Sequence, residues 1–221
     1  MVPTLVGLAV AVVALFAWYG WCKRKNQQRA HEILRWIEST LGARSQMQSI
    51  DWLTPASFRV ALRTAGDGVF RRAAVLVDLA PMHSPYAWLR RKLDSRQDTV
   101  TFEADLEASP RCMLDLHTYK LFARTRRDLQ PEGAGWQFET TTPLVMTTRN
   151  EWQREVTGVI SSLLQRKEKQ FLDLRFAPES PNLSVTLPLG AIAPNAENRL
   201  EMATMIRELA TEFSSSHGFS Y

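Results

Sequence analysis

The first 22 residues, Met1 to Cys22, lack any charged side chain. That absence excludes a soluble amphipathic helix, which keeps a polar face toward water. The whole chain has only two cysteines, Cys22 and Cys112. With Cys22 placed at a membrane boundary, Cys112 has no partner within the chain, so a disulfide framework is not expected and a reducing compartment fits. Only ten glycines occur. None forms a phosphate-cradling loop, and G-x-x-x-x-G-K-[ST], G-x-G-x-x-G and G-x-S-x-G are all missing. The four histidines (His31, His83, His117 and His217) have no cysteine or histidine neighbour at zinc spacing, which argues against a metal site. No internal repeat and no long low-complexity tract interrupts the chain. These absences leave no recognisable catalytic constellation, so catalytic, cofactor and metal residues are all expected to be none.

What is present begins with the apolar run itself. Leu5, Val6, Leu8, Val10, Val12, Val13, Leu15 and Phe16 dominate it, with Gly7, Ala9, Ala11, Ala14 and Ala17 between them. As a helix, such a run reaches about 33 Å, enough for a hydrocarbon core of about 30 Å. Trp18, Tyr19 and Trp21 form an aromatic belt at its end, and Lys23, Arg24 and Lys25 follow at once. These six residues are the expected membrane interface. The basic flank stays cytosolic by the positive-inside rule, which puts the N-terminus outside. A cleaved signal fits poorly, because a basic n-region and a small-residue cleavage site are both missing. Lipidation of Cys22 is disfavoured by the bulk of Trp21. Gly7 and Ala11 have the spacing that can pack two spans, although a lone pair of this kind more often faces lipid.

All 27 Lys and Arg and all 23 Asp and Glu follow the run, giving net charge +4. That mild excess suits anionic headgroups and falls short of a dedicated nucleic-acid binder. The length beyond the run suits one domain, or at most two small ones. Residues 23–42 are expected to form a basic juxtamembrane amphipathic helix. Ile33, Leu34, Ile37 and Leu41 face inward, and the helix packs on the domain rather than on lipid.

Residues 50–213 show an α+β pattern of antiparallel hairpins alternating with helices. Phe58 to Arg63 and Ala73 to Leu79 are strands about the Gly66–Gly68 turn. Tyr86 to Leu93 is a short helix with Trp88, Leu89 and Leu93 inward. Val100 to Glu107 is expected to pair in a hairpin with the strand running from Leu114 toward Phe122. Residues 136–147 are ambiguous. Asn150 and Gln153 resemble a capping box before a helix through Leu164. Phe171 to Phe176 and Leu183 to Leu187 make the last hairpin, and Asn195 opens the last helix. A break into two sub-domains would fall near residues 124–135, and residues 214–221 form a frayed tail.

Two polar strand faces are candidate sites. Asp115, His117 and Tyr119 share one face, an arrangement that orients an imidazole for proton transfer. The plainer reading, which the pattern favours, is a solvated face opposite Leu114 and Leu116. Glu103, Asp105 and Glu107 share another, suited to a cation or acid–base work. Here the plainer reading is cross-strand pairing with Arg59 and Arg63. Cys112 is expected buried beside Leu114. Basic groups at Arg90–Lys92, Arg124–Arg127 and Arg166–Lys169 suit phosphates or a membrane surface, but a solvated face is the plainer reading that the pattern favours for each alone.

The layout resembles the calumin family, a subunit of the PAT complex of the eukaryotic endoplasmic reticulum. The resemblance runs through Leu5–Trp21, Lys23–Lys25, Ala73–Leu79, Trp88–Leu93, Thr99–Leu106, Glu151–Leu164, Phe171–Phe176, Val185–Leu187 and Leu200–Phe213, as a match of pattern. It implies one span, a cytosolic α+β domain and partners among immature membrane proteins. The family's acidic segment before the span and its C-terminal coiled coil, tied to ribosome and translocon contact, have no counterpart here. The sequence thus points to a single-pass, non-enzymatic protein that binds protein or membrane partners without a cofactor. The alternative is a membrane-anchored enzyme or small-ligand receptor. A bacterial inner membrane and an endoplasmic-reticulum membrane fit equally well.

Overall fold

The computed structural model describes residues 2–41, 45–64, 69–80, 84–93, 97–110, 113–118, 136–141, 144–149, 173–192 and 203–211. Its first element is one unbroken helix, α1 (Val2–Leu41). No proline or glycine interrupts the stretch from Trp21 to Leu41, so nothing stops the apolar helix from running into the amphipathic one. The separate juxtamembrane helix expected over 23–42 is therefore the second half of α1. Cys22, Asn26, Ala30, Ile33 and Ile37 are buried at helical spacing along that half, so it packs on the domain.

The remaining architecture is α+β. Among the described residues nine strands form one sheet: β1 (Ser45–Thr54), β2 (Ser57–Thr64), β3 (Phe70–Asp78), β4 (Thr99–Leu106), β5 (Leu114–Thr118), β6 (Trp136–Thr141), β7 (Leu144–Arg149), β8 (Asp173–Phe176) and β9 (Leu183–Pro188). Their order is β1-β2-β3-β4-β9-β8-β5-β7-β6. Every described pairing is antiparallel. The helices among the described residues are α1, α2 (Pro85–Leu93), α3 (Leu189–Ile192) and α4 (203–211).

One row of cross-strand partners runs Val60, Val75, Phe102, Val185, Leu174, Leu116. The next row on that face runs Leu62, Ala73, Ala104, Leu183, Phe176, Leu114. These residues form one core cluster with Ala30, Ile33 and Ile37 of α1 and Met205, Ile206, Leu209 and Ala210 of α4. The period of two in strands such as β4 and β9 sends every second side chain into this layer. Burying each large apolar side chain contributes roughly 1.5–3 kcal/mol.

Three expectations are corrected. β4 and β5 do not form a hairpin: β4 lies between β3 and β9, while β5 lies between β7 and β8. The separate hairpins instead join one continuous sheet. Leu89 and Leu93 of α2 face outward and are exposed. Arg91 points inward instead, donating to the Asp78 carboxylate at 2.9 Å and the Gln97 carbonyl at 2.8 Å.

The turn at residues 66–68, Cys112, Tyr119, the segment near 124–135, the helix through Leu164, Asn195 and the tail lie outside the described residues. So do the side chains at positions 8, 9 and 11. Among the described residues no helix is long and apolar enough to cross a membrane.

The strands lie along the second half of α1. Asn26 Nδ2 donates to the Ala80 carbonyl at 3.4 Å, and Arg29 Nη1 to Asp98 Oδ2 at 3.5 Å. Residues 26–29 thus sit at one end of the sheet, where β3 ends and β4 begins. The chain passes to the other end before β1 starts, since Ser45 pairs with Thr64. The β1–β2 turn then returns to the first end, where the Leu79 amide donates to the Ala56 carbonyl at 2.8 Å.

Candidate functional site

The polar face of the sheet, opposite the core, gathers most of the candidate residues. One of its rows runs Leu76, Thr101, Thr186, Asp173, His117. The next runs Ala74, Glu103, Ser184, Arg175, Asp115. Register therefore sets Asp173 directly opposite His117 and Arg175 directly opposite Asp115. The two faces expected separately are parts of one face, joined through β9 and β8.

His117 Nδ1 lies 2.9 Å from Asp173 Oδ1. Neither atom has an aligned hydrogen-bond partner among the described residues. The closeness is thus a charge contact in which the ring N–H is not aimed at the oxygen. Arg175 Nε lies 3.5 Å from Asp115 Oδ1. His117 is only 6% exposed, so the solvated face expected for it is corrected to a buried one.

Burial alone would lower the His117 pKa. Its contact with Asp173, helped by the charge of Asp115, outweighs that and holds the imidazole above its ordinary 6.5, against the opposing Arg175. Burial raises the Asp115 carboxyl above its ordinary 3.8; Arg175 and His117 pull it back only in part, and Asp173 adds to the rise. The arrangement can hold a proton on the imidazole and present a half-buried carboxyl beside it.

The acidic row of β4 lies further along the same face. Arg59 Nη2 donates to Glu103 Oε2 at 3.0 Å, reaching diagonally across β3. The pairing of this row with Arg59 is present, although the two strands are not neighbours. Ser180 Oγ donates to Asp105 Oδ1 at 2.7 Å. The carboxylates thus engage protein groups. Among the described residues no cluster of three or more His, Cys, Asp or Glu could hold a metal ion.

The second candidate surface is the collar on α1. Trp18, Tyr19 and Trp21 are exposed, as are Lys23 and Arg24, and Lys25 is half-buried. The Trp18 and Trp21 rings are tilted at 6.0 Å, and Lys25 Nζ stands 5.1 Å from the Trp21 ring centroid. Aromatic and cationic groups are thereby bundled over about two turns. Above the collar, Val6, Val10, Val13, Leu15 and Phe16 are all exposed, Phe16 at 74%. Within it, the buried stripe already starts with Cys22, 1% exposed.

Asp98 was not singled out from sequence. Its carboxylate receives the Ala80 amide at 2.7 Å and lies 3.5 Å from both Arg29 and Arg91, and its carbonyl receives the Leu189 amide at 2.8 Å. It ties α1, α2, the end of β3 and the start of α3 together at one end of the sheet. Only the Asp in front of a strand, a common turn position, signals it locally.

These surfaces define an antiparallel α+β domain mounted on the second half of a long helix whose first half is apolar. No known family model matches the chain, and no curated protein matches it either.

Proposed function

We propose that the protein is a single-pass membrane protein whose α+β domain lies on the cytosolic side and binds protein partners at the bilayer without catalysing a reaction. The observation that carries this reading is α1. Val6, Val10, Val13, Leu15 and Phe16 expose apolar surface around the helix, and the same unbroken helix becomes the buried stripe of the domain. Water disfavours such a sleeve, whereas lipid accommodates it. The aromatic and basic collar suits the headgroup level, with the basic side cytosolic. Because the helix has no break after Cys22, the domain is held close to the membrane. The family resemblance in layout favours immature membrane proteins as the partners, in an endoplasmic-reticulum or bacterial inner membrane.

Extraction in a mild detergent followed by affinity purification tests the reading. Membrane-protein clients should copurify. Recovery of this chain alone, or its release from membranes by alkaline carbonate, would sink the proposal.

The buried His117, with the half-buried Asp115 and Asp173 and the exposed Arg175 around it, favours a second reading, a small-ligand receptor or enzyme on the polar sheet face. A ligand there should move the His117 imidazole resonances. Resonances that stay fixed across a panel of small anions, cations and metabolite-sized fragments would count against it.

A further inference from the structure

We infer that the end of the sheet nearest the anchor is itself a membrane-contacting surface, formed by α2 and the β1–β2 turn and seated on anionic headgroups. The inference rests on the anchored reading of α1 and specifies which side of the domain meets the lipid.

Position along α1 is the first support. Asn26 and Arg29 touch the strand ends at Ala80 and Asp98. They lie four and seven residues beyond Cys22, about 6 and 10 Å along the helix. Each headgroup layer is itself about 5–7 Å deep. The end of the sheet bearing Ala56, Ala80 and Asp98 therefore lies at the lipid surface when the apolar run fills the hydrocarbon. The other end, with the Ala177–Asn182 turn, lies a strand length away.

Side-chain chemistry at this end is the second support. Arg91 holds one face of α2 to Asp78, Gln97 and Asp98. Positions two residues to either side of Arg91 lie nearly opposite on a helix. They are Leu89 and Leu93, and they project away from the sheet end. Leu93 is 75% exposed, and Tyr86, four residues before Arg90, is equally so. Arg90 and Lys92 flank them and are exposed, with Lys92 Nζ 5.3 Å from the Trp88 ring centroid. Trp52 and Leu53 are exposed where β1 enters the turn at the same end.

Exposed leucine and aromatic groups interleaved with cations match an interfacial helix. They repeat the pairing of tryptophan and lysine found on the α1 collar. A water-facing helix has no need of Leu89 and Leu93 outward while an arginine occupies its inner face. A bilayer surface accepts both: the apolar side chains enter the acyl boundary, and Arg90 and Lys92 meet the lipid phosphates.

Depth-dependent quenching on the full chain tests this. The chain is reconstituted in phosphatidylcholine–phosphatidylserine vesicles, with Cys112→Ser and the buried Cys22 left in place. A nitrobenzoxadiazole fluorophore is attached at Leu89→Cys, Leu93→Cys, Phe16→Cys or Glu179→Cys, the last in the turn at the far end of the sheet. Lipids spin-labelled near the headgroup should quench emission at positions 89 and 93 and leave position 179 bright. Phe16 reports separately through lipids labelled deep in the acyl chain. Quenching at 16 with positions 89 and 93 as bright as 179 overturns this inference and leaves the anchor standing. No quenching at 16 overturns the anchor itself. Positions 89 and 93 shielded from both the lipid quencher and aqueous iodide would mean a protein occupant, and would overturn the lipid assignment.

Discussion

At the scale of single residues, the distinctive group is the ionic cluster around the buried His117 on the polar face. Protonation of His117 is favoured in the folded chain relative to the unfolded one, so folding takes up a proton as pH rises past 6.5. The contribution is fully present below that value and is lost as pH rises through the higher folded pKa. Asp115 has the same sign, because its folded carboxyl also holds a proton more tightly, with a window opening at 3.8. Denaturant midpoints in detergent should therefore fall on crossing pH 6.5 upward. Asp173→Asn should flatten that fall, since it removes the contact that raises His117. A midpoint in the native chain that climbs across the same window would contradict the assignment.

Asn182 makes a neutral comparison. Its Oδ1 receives the Leu106 amide at 3.1 Å, and its Nδ2 donates to the Ala177 and Pro178 carbonyls at 3.2 and 3.0 Å. Asn182→Ala strands a buried amide and should cost about 1–3 kcal/mol in chemical denaturation, with no change of slope against pH. Of the charged cluster, Asp115 and His117 were legible as one face from their spacing of two. Asp173 and Arg175 were not, because they arrive from a strand far along the chain. Only the register of β5 on β8 brings them opposite.

At the scale of elements, legibility followed how local each decision was. The β2–β3 and β8–β9 hairpins join strands close in sequence through turn residues, and both stood out. The β4–β5 hairpin was suggested by the closeness of the two strands in sequence, yet β9 pairs with β4 across Val100–Leu187 and Phe102–Val185. A long-range partner there completes two apolar rows, which a local turn signal does not reveal. β1 went unrecognised because, as an edge strand, it leaves Ile50, Trp52 and Leu53 exposed and so lacks clean alternation. α2 was found, but its orientation was reversed, since apolar side chains were assumed to face in and the ion-paired Arg91 takes that place.

Asp98 is the joint among these elements, and its loss tests how they are coupled. Asp98→Ala removes the acceptor of the Ala80 amide and leaves Arg91, mostly buried, without one of its two carboxylates. A loss of about 2 kcal/mol is expected, on the scale of a buried hydrogen bond to a charged group. Hydrogen exchange should quicken first in α2 and at the start of β4. Uniform quickening over the whole sheet would show that Asp98 supports global stability alone.

For the molecule as a whole, the governing feature is that one helix changes the way it presents its apolar side chains along its length. Its first half offers apolar side chains outward, and its second half turns a stripe of them inward onto the sheet. The changeover occurs within a turn, at Trp21 and Cys22, where exposure switches from open to buried. The two halves are separable by substitution. Ile37→Ala deletes a fully buried side chain and should cost about 2–5 kcal/mol of domain stability while leaving membrane association intact. Val13→Arg acts on the other half, far from the core. A charge at the centre of a spanning helix costs about 2.5–3.5 kcal/mol on insertion scales, and Val10→Arg with Val13→Arg roughly doubles that. The double variant should lose carbonate-resistant membrane association and keep the unfolding midpoint of the domain. If it stays in the membrane pellet and the midpoint drops instead, the first half of α1 packs against protein, and the exposed sleeve is a docking surface rather than a span.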